Sequence, residues 1–291
     1  MKPETKGAVY TIISAMLLSS SFIFAQYLLD YMTPEMLEVI WFVCASIISI
    51  LIAAAVRKVN PLNYLVVYWK EGIMLGIFNG VSALLWAFSI KMTSASISAF
   101  FLRFTTIFII IIGIIFLKEK LKFWEIIGAA IAIMGAFMIS FREPASLHLG
   151  ILVIIITALV GAISEVVAKV YVKRIEPYTL SAMRTFYSLT VMIAITAPLG
   201  RITSVPLWII PVLALASLLT AVLGFIFYYK AFELIEISQA AIIRTLDPFF
   251  VVLYAFIIFG TLPSGSEILG GSLIVAGVIV SLLGPTAIKT K

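Results

Sequence analysis

The chain has 291 residues, of which 63% are hydrophobic and 12% charged, with a mean hydropathy of +1.19 and a formal net charge of +6. So apolar a chain cannot cover itself with a polar surface, which excludes a water-soluble protein and predicts an integral membrane protein. It has one Cys, one His, no glycine-rich phosphate loop and no His-Glu-x-x-His sequence. We therefore predict no enzyme activity, no cofactor and no metal site.

Ten apolar segments follow one another along the chain, each about long enough for a helix to cross roughly 30 Å of hydrocarbon. They are continuously apolar rather than alternating, which favours helices over the strands of a membrane barrel. The predicted fold is an all-α integral membrane bundle. Its ten predicted transmembrane helices are residues 8–29, 36–56, 72–90, 97–117, 124–141, 149–172, 178–199, 208–229, 238–259 and 267–284.

The second half of the chain repeats the first about 143 residues later. Gly7 recurs as Gly150, and Pro34 recurs as Pro177. Each half holds five predicted spans, and because five is odd, the second half must begin on the opposite side of the membrane. We predict two repeats, 7–141 and 149–284, of inverted topology in one bundle. Inverted repeats are typical of transporters that alternate between two faces of a membrane.

The charged residues between the spans are distributed unevenly. With the amino terminus in the cytoplasm, most Lys and Arg residues between the spans lie on the cytoplasmic side, and only Lys91, Arg142 and Arg201 lie outside. This asymmetry predicts that both termini are cytoplasmic in a multi-pass protein of the plasma (inner) membrane. The basicity thus reports orientation and not a nucleic-acid partner. The expected partners are the lipid bilayer and a small-molecule substrate.

Several short sequences mark helix ends or recur in both halves. They are Thr93-Ser94-Ala95-Ser96, Ile237-Ser238-Gln239-Ala240, Leu246-Asp247-Pro248, Leu117-Lys118-Glu119 and a Gly-x6-Gly pair in the last helix of each half. In this order, over nearly the whole chain, they resemble the EamA family of the drug/metabolite transporter superfamily. The resemblance implies a ten-helix transporter with two inverted halves, and export of amino acids or other small metabolites.

The chain departs from the family pattern at two places. The fourth helix of each half commonly carries an acidic residue and a proline, but the first half has Arg103-Phe104 and only the second half keeps Asp247-Pro248. Glu119, at the end of the fourth helix, becomes Thr261 in the second half. The resemblance therefore carries the fold and the class of protein, but not a substrate.

Ionisable side chains inside the spans are the candidate functional residues. Each costs about 2.5–3.5 kcal/mol on insertion scales and so needs a partner, a wet cavity or the membrane surface. Lys169 lies near its helix end and is expected to reach the surface. The six candidates for substrate binding or gating are Glu38, Arg103, Glu165, Arg184, Arg244 and Asp247.

The repeat predicts how some of these charges pair. It aligns Arg103 with Asp247 and Trp41 with Arg184, and Glu38 lies one turn before Trp41. From the helical rise of about 1.5 Å per residue, Glu38 and Arg103 fall in the outer third of the membrane, and Arg184 and Asp247 in the inner third. We therefore expect a Glu38–Arg103 pair and an Arg184–Asp247 pair, acting as charge-reversed gates.

Local pairing along one helix remains an alternative. Arg244 and Asp247 are three residues apart, and Glu165 and Lys169 are four apart, so either pair can form on a single helix face. Among uncharged residues, Trp41, Tyr228, Gln26 and Asn79 are candidates for the walls of the same site, although packing between helices explains them as well.

These features predict a transporter that moves a small amphipathic metabolite by alternating access. An amino acid or a related carboxylate is the first substrate class, because basic residues outnumber acidic ones inside the spans and because the family resemblance implies it. The resemblance also implies export as the direction. Broad efflux of hydrophobic compounds and a non-transporting helper subunit are the alternatives. Proton coupling through a buried carboxylate and uncoupled flux both remain open. So does a homodimer through the glycines of the last helix in each half.

Overall fold

The computed structural model describes residues 2–57, 61–92, 98, 101–140, 149–200, 205–260, 262 and 264–283. Every regular element in these ranges is helical, which confirms the all-α prediction. The α-helices are α1 (Pro3–Leu28), α2 (Pro34–Arg57), α3 (Pro61–Val67), α4 (Trp69–Met92), α5 (Phe104–Phe116), α6 (Phe123–Ser140), α7 (Leu149–Tyr171), α8 (Pro177–Thr196), α9 (Ile209–Ser217), α10 (Phe225–Phe232), α11 (Ile237–Ile243), α12 (Asp247–Phe259) and α13 (Gly265–Leu283).

The helices are long and apolar enough for a membrane protein. Six helical segments of at least 18 residues qualify as membrane spans, and three shorter apolar helices accompany them in the described ranges. Helix α8 coincides with the remaining predicted span, but it is less apolar because it buries Ser181, Arg184, Thr185 and Ser188. The integral membrane fold is thus confirmed, whereas the count of ten spans stays a prediction.

Two predicted spans are interrupted rather than straight. A π-helical segment, Leu218–Gly224, joins α9 to α10, and a 3-10 turn, Arg244–Leu246, separates α11 from α12. Pro248 lies in the first turn of α12, where its missing N–H leaves no hydrogen bond unmade. The ninth predicted span is therefore interrupted beside Pro248. At the equivalent place in the first half, α5 begins directly after Arg103 without a proline.

Helices α6 and α13 pack through reciprocal glycines. A Cβ atom on Gly128 would lie 2.5 Å from the carbonyl oxygen of Gly277, and one on Gly135 would lie 2.5 Å from that of Gly270. Contacts between adjacent turns of two helices at this distance require both residues to lack a side chain. These glycines already pack against each other within one chain, so they are not available for packing against a second copy. A homodimer stays a prediction.

The bundle has two distinct ends. At the amino-terminal end, a Cβ on Gly7 would lie 2.6 Å from Ile235, and the Lys169 ammonium donates to the carbonyl oxygens of Phe232 (2.5 Å) and Ile235 (2.6 Å). At the opposite end, the Lys91 ammonium donates to the carbonyl of Leu29 at 2.7 Å. Lys169 thus holds the end of α10 and takes no part in a central site.

Candidate functional site

A cavity of about 180 Å³ lies in the interior of the bundle, between helices of both halves. This volume holds several waters or a small metabolite. Nine of the ten predicted site residues line it: Glu38, Trp41, Asn79, Arg103, Glu165, Arg184, Tyr228, Arg244 and Asp247. Gln26 does not, because its side chain is exposed on the outside of α1.

Arg103 and Asp247 form the centre of the charged network. Arg103 Nη1 donates to Asp247 Oδ2 at 3.0 Å and also to the backbone carbonyl of Arg244 at 3.0 Å. Arg244 Nη2 donates to the same Asp247 oxygen at 3.0 Å. The first half thereby bonds to the interrupted helix of the second half, and one carboxylate serves two guanidinium groups. The local Arg244–Asp247 pair, left open by the sequence, is present.

Glu165 extends this network onto α7. Arg244 Nη1 donates to Glu165 Oε1 at 2.7 Å, and the Tyr228 hydroxyl donates to Glu165 Oε2 at 2.8 Å. The Arg244 guanidinium also lies 4.8 Å from the centre of the Tyr228 ring, within cation–π range. Both carboxylates are thus bonded to guanidinium groups, as buried charges need to be.

The predicted pairs Glu38–Arg103 and Arg184–Asp247 are wrong. Arg103 instead bonds Asp247, the residue with which the repeat aligns it. Depths counted along straight spans missed this, because the helices are interrupted at both positions.

The hydrogen bonds of Arg184 to the described residues go to uncharged groups. Its Nη1 donates to Asn79 Oδ1 at 2.8 Å, and its Nη2 donates to the carbonyl of Ala221 in the π-helical segment. The guanidinium lies 3.7 Å from the centre of the Phe225 ring, and Nε has no hydrogen-bond partner. The side chain is 1% exposed. It thus presents a buried positive charge that no carboxylate bonds in the part of the chain that the structure describes.

Glu38 is a buried acidic side chain on the wall of the same cavity as Arg184. Its side chain lines the cavity on α2 and is 2% exposed. Among the described residues, no group lies in hydrogen-bond or salt-bridge distance of its carboxylate. Arg184 is the cation whose charge acts on it.

Aromatic rings form the wall beside these two charges. Trp41 meets Trp86 edge to face with 6.4 Å between ring centres, and Phe22 meets Trp86 at 5.5 Å. Phe22, Phe42 and Phe225 were missed from the sequence, since aromatic residues are common in membrane helices and these carry no motif.

A small-residue face of α7 also lines the cavity and was missed in part. Thr157, Gly161 and Glu165 recur at every fourth residue and therefore share one helix face. This spacing is a sequence signal that could have identified the face. In the described ranges, no three His, Cys, Asp or Glu side chains are grouped as a metal site requires.

Glu119 joins the two halves at the amino-terminal end. Its carboxylate accepts hydrogen bonds from the backbone N–H groups of Ile237 (2.9 Å) and Ser238 (3.1 Å) and from the Ser238 hydroxyl (2.5 Å). Gln239 donates to Glu125 at 3.0 Å beside it. Two of the sequences that carry the family resemblance thus meet here. Thr93-Ser94-Ala95-Ser96 and Thr261 lie outside the described residues.

A helical membrane bundle with a central cavity lined by buried charges has the architecture of a solute transporter. The model of the EamA-like transporter family matches residues 5–141 and again residues 148–283. The chain therefore belongs to the EamA-like transporter family, and it is a transporter and not an enzyme.

Individual relatives agree with this assignment. An uncharacterized transporter of Archaeoglobus fulgidus is 25% identical over 211 residues, which cover 71% of this chain and 74% of that protein. Solute carrier family 35 member G1 of Mus musculus is 24% identical, with 96% of this chain and 78% of that protein covered. A solved crystal structure has the same fold, with a TM-score of 0.77 and 17% identity over 96% of this chain and 97% of its own.

Proposed function

We propose that this transporter carries a small amphipathic carboxylate, with amino acids as the first class, and that it exports them by alternating access. The observation that carries the proposal is Arg184, a buried guanidinium on the cavity wall whose hydrogen bonds go to neutral oxygens. A substrate carboxylate would supply the missing negative charge.

The charge balance of the cavity supports a zwitterion. Asp247 forms an ion pair with Arg103, and Glu165 forms one with Arg244. Lys169 lies at the amino-terminal end of the bundle. The excess of basic residues expected from the sequence is therefore absent from the cavity. Among the described residues, what remains beside the aromatic wall is one guanidinium that no carboxylate bonds, Arg184, and one carboxyl group without a hydrogen-bond donor, Glu38. A carboxylate, an ammonium group and an apolar side chain match these three features.

Alternating access requires two halves that can exchange roles. We propose that 7–141 and 149–284 are repeats of inverted topology. The reciprocal glycine packing of α6 and α13 and the helix interruptions at Arg103 and Arg244 support this, because a two-fold relation makes such features occur in pairs. The excess of basic residues at the amino-terminal end supports a cytoplasmic location for that end, in the plasma membrane.

Counterflow in liposomes tests the proposal. Purified protein is loaded with unlabelled amino acids or organic acids, and uptake of the radiolabelled compounds is followed. We expect saturable counterflow that Arg184→Ala abolishes. Arg174→Ala is the matched control, because Arg174 is exposed between α7 and α8. Wild-type activity in Arg184→Ala would reject the proposal, and flux of hydrophobic compounds alone would favour broad efflux.

A further inference from the structure

Three carboxylates line the cavity, and they differ in how they are held. Asp247 accepts from Arg103 and Arg244, and Glu165 accepts from Arg244 and Tyr228. Glu38 has no such donor among the described residues, although it is as deeply buried as Asp247. The network therefore supplies two of the carboxylates with donors and leaves the third without one.

The groups that face Glu38 come from the helices packed against α2. The segments α9 and Leu218–Gly224 contain no titratable side chain. Helix α8 contributes Arg184, and the Lys91 ammonium of α4 is bound to the carbonyl of Leu29. On α2 itself, Glu35 lies one turn earlier and has its own partner. The electrostatic environment of Glu38 is thus set by one guanidinium.

A carboxylate in an apolar wall needs a donor in order to stay charged. Without one, burial favours the protonated form, whereas an adjacent cation favours the ionised form. Arg184 alone acts on Glu38 in the empty cavity. When a substrate carboxylate binds Arg184, its negative charge offsets the positive charge of Arg184. The ammonium group of the same substrate brings a new cation to Glu38. The protonation state of Glu38 then depends on whether its carboxyl group binds a proton or the ammonium group of the substrate.

We propose that Glu38 is the coupling carboxylate of a proton antiporter, a role that rests on the proposed function of the same cavity. The empty carrier holds a proton on Glu38. Binding of the substrate ammonium group breaks the carboxyl O–H bond, the proton passes to water in the cavity, and the carboxylate pairs with the ammonium. Substrate and proton thus occupy Glu38 in turn and cross the membrane in opposite directions.

Liposomes with an imposed pH gradient test this with radiolabelled leucine and phenylalanine as probes. We expect wild-type protein to accumulate them against the proton flow, by at least about tenfold over the condition without a gradient. Glu38→Gln should bind the probes more weakly, and its exchange should not respond to the gradient. Glu35→Gln is the matched control on the same helix and should behave as wild type.

Direct proton counting separates the outcomes. In weakly buffered solution, wild-type protein should release protons when phenylalanine is added, and Glu38→Gln should release none. Gradient-driven accumulation in Glu38→Gln, or wild-type exchange that ignores the gradient, would overturn the proposal. If Glu38→Gln does not fold, Glu38→Asp decides: exchange with coupling supports the role, and exchange without coupling contradicts it. No exchange by the wild type would instead reject the proposed function.

Discussion

Asp247 is the carboxylate that two guanidinium groups share. It accepts hydrogen bonds from both Arg103 and Arg244. Buried ion pairs contribute little net stability when intact, but removal of one partner leaves an uncompensated charge in a medium of low dielectric constant. The two members of the Arg103–Asp247 pair should therefore differ in their effect on stability.

We expect Asp247→Asn to destabilise the protein by about 3–5 kcal/mol, because two guanidinium groups lose their shared carboxylate. Arg103→Met should cost clearly less, because Asp247 keeps Arg244. Thermal unfolding of both variants in detergent measures the difference. Equal losses would contradict the shared-carboxylate arrangement.

Asn79 is a positioning residue for Arg184. Its Oδ1 accepts from Arg184 Nη1 at 2.8 Å and from the Ser188 hydroxyl at 3.1 Å. Loss of a hydrogen bond to a charged group is worth about 1.5–3 kcal/mol, so Asn79→Leu should raise the half-saturation concentration for a carboxylate substrate by roughly tenfold or more. Ser188→Ala keeps the Asn79–Arg184 bond and should have a much smaller effect in the same flux assay.

At the level of elements, the contact of α6 with α13 depends on two glycine pairs. Gly128→Ala should destabilise the protein by about 1–3 kcal/mol, since its Cβ would lie 2.5 Å from a backbone oxygen that cannot move aside. Gly265→Ala, at the start of α13, has no atom within 4 Å of the added Cβ and serves as the control. Similar unfolding temperatures for the two variants would argue against this packing.

The Glu119 contact joins the two halves at the amino-terminal end. Glu119→Ala removes three acceptor contacts at the start of α11, so this end should open more often. Ala241→Cys in a Cys44→Ser background places a thiol in the cavity. We expect Glu119→Ala to increase its labelling by a membrane-impermeant maleimide added from the amino-terminal side. Unchanged labelling would show that this contact does not close the cavity.

The interruptions of the helices could be predicted from the sequence only in part. Pro248 marks the break beside it in the sequence, because a proline ends or begins a helical segment. The π-helical segment and the break at Arg103 contain no proline, so no residue marks them in the sequence. The position of Arg103 depends on the break directly before α5. Its partner could therefore not be predicted from depth along a straight helix.

For the molecule as a whole, composition predicts the membrane and the ten apolar segments predict the helices, because a bilayer accepts few other solutions. Membership of the cavity was also predictable for most residues, since a buried charge needs a cavity or a partner. The prediction for Gln26 was wrong, because an uncharged amide near the end of α1 can stay on the outside of the bundle. Which charges bond each other depends on distances between helices, which a single sequence does not contain.

The central claim is that Arg184 binds the carboxylate of the substrate. The most direct test compares the flux of leucine with that of leucinamide, which keeps the ammonium group and the side chain but lacks the carboxylate. We expect wild-type protein to carry leucine and to discriminate strongly against leucinamide, and Arg184→Ala to lose this discrimination. Equal flux of the two compounds through the wild type would contradict the claim.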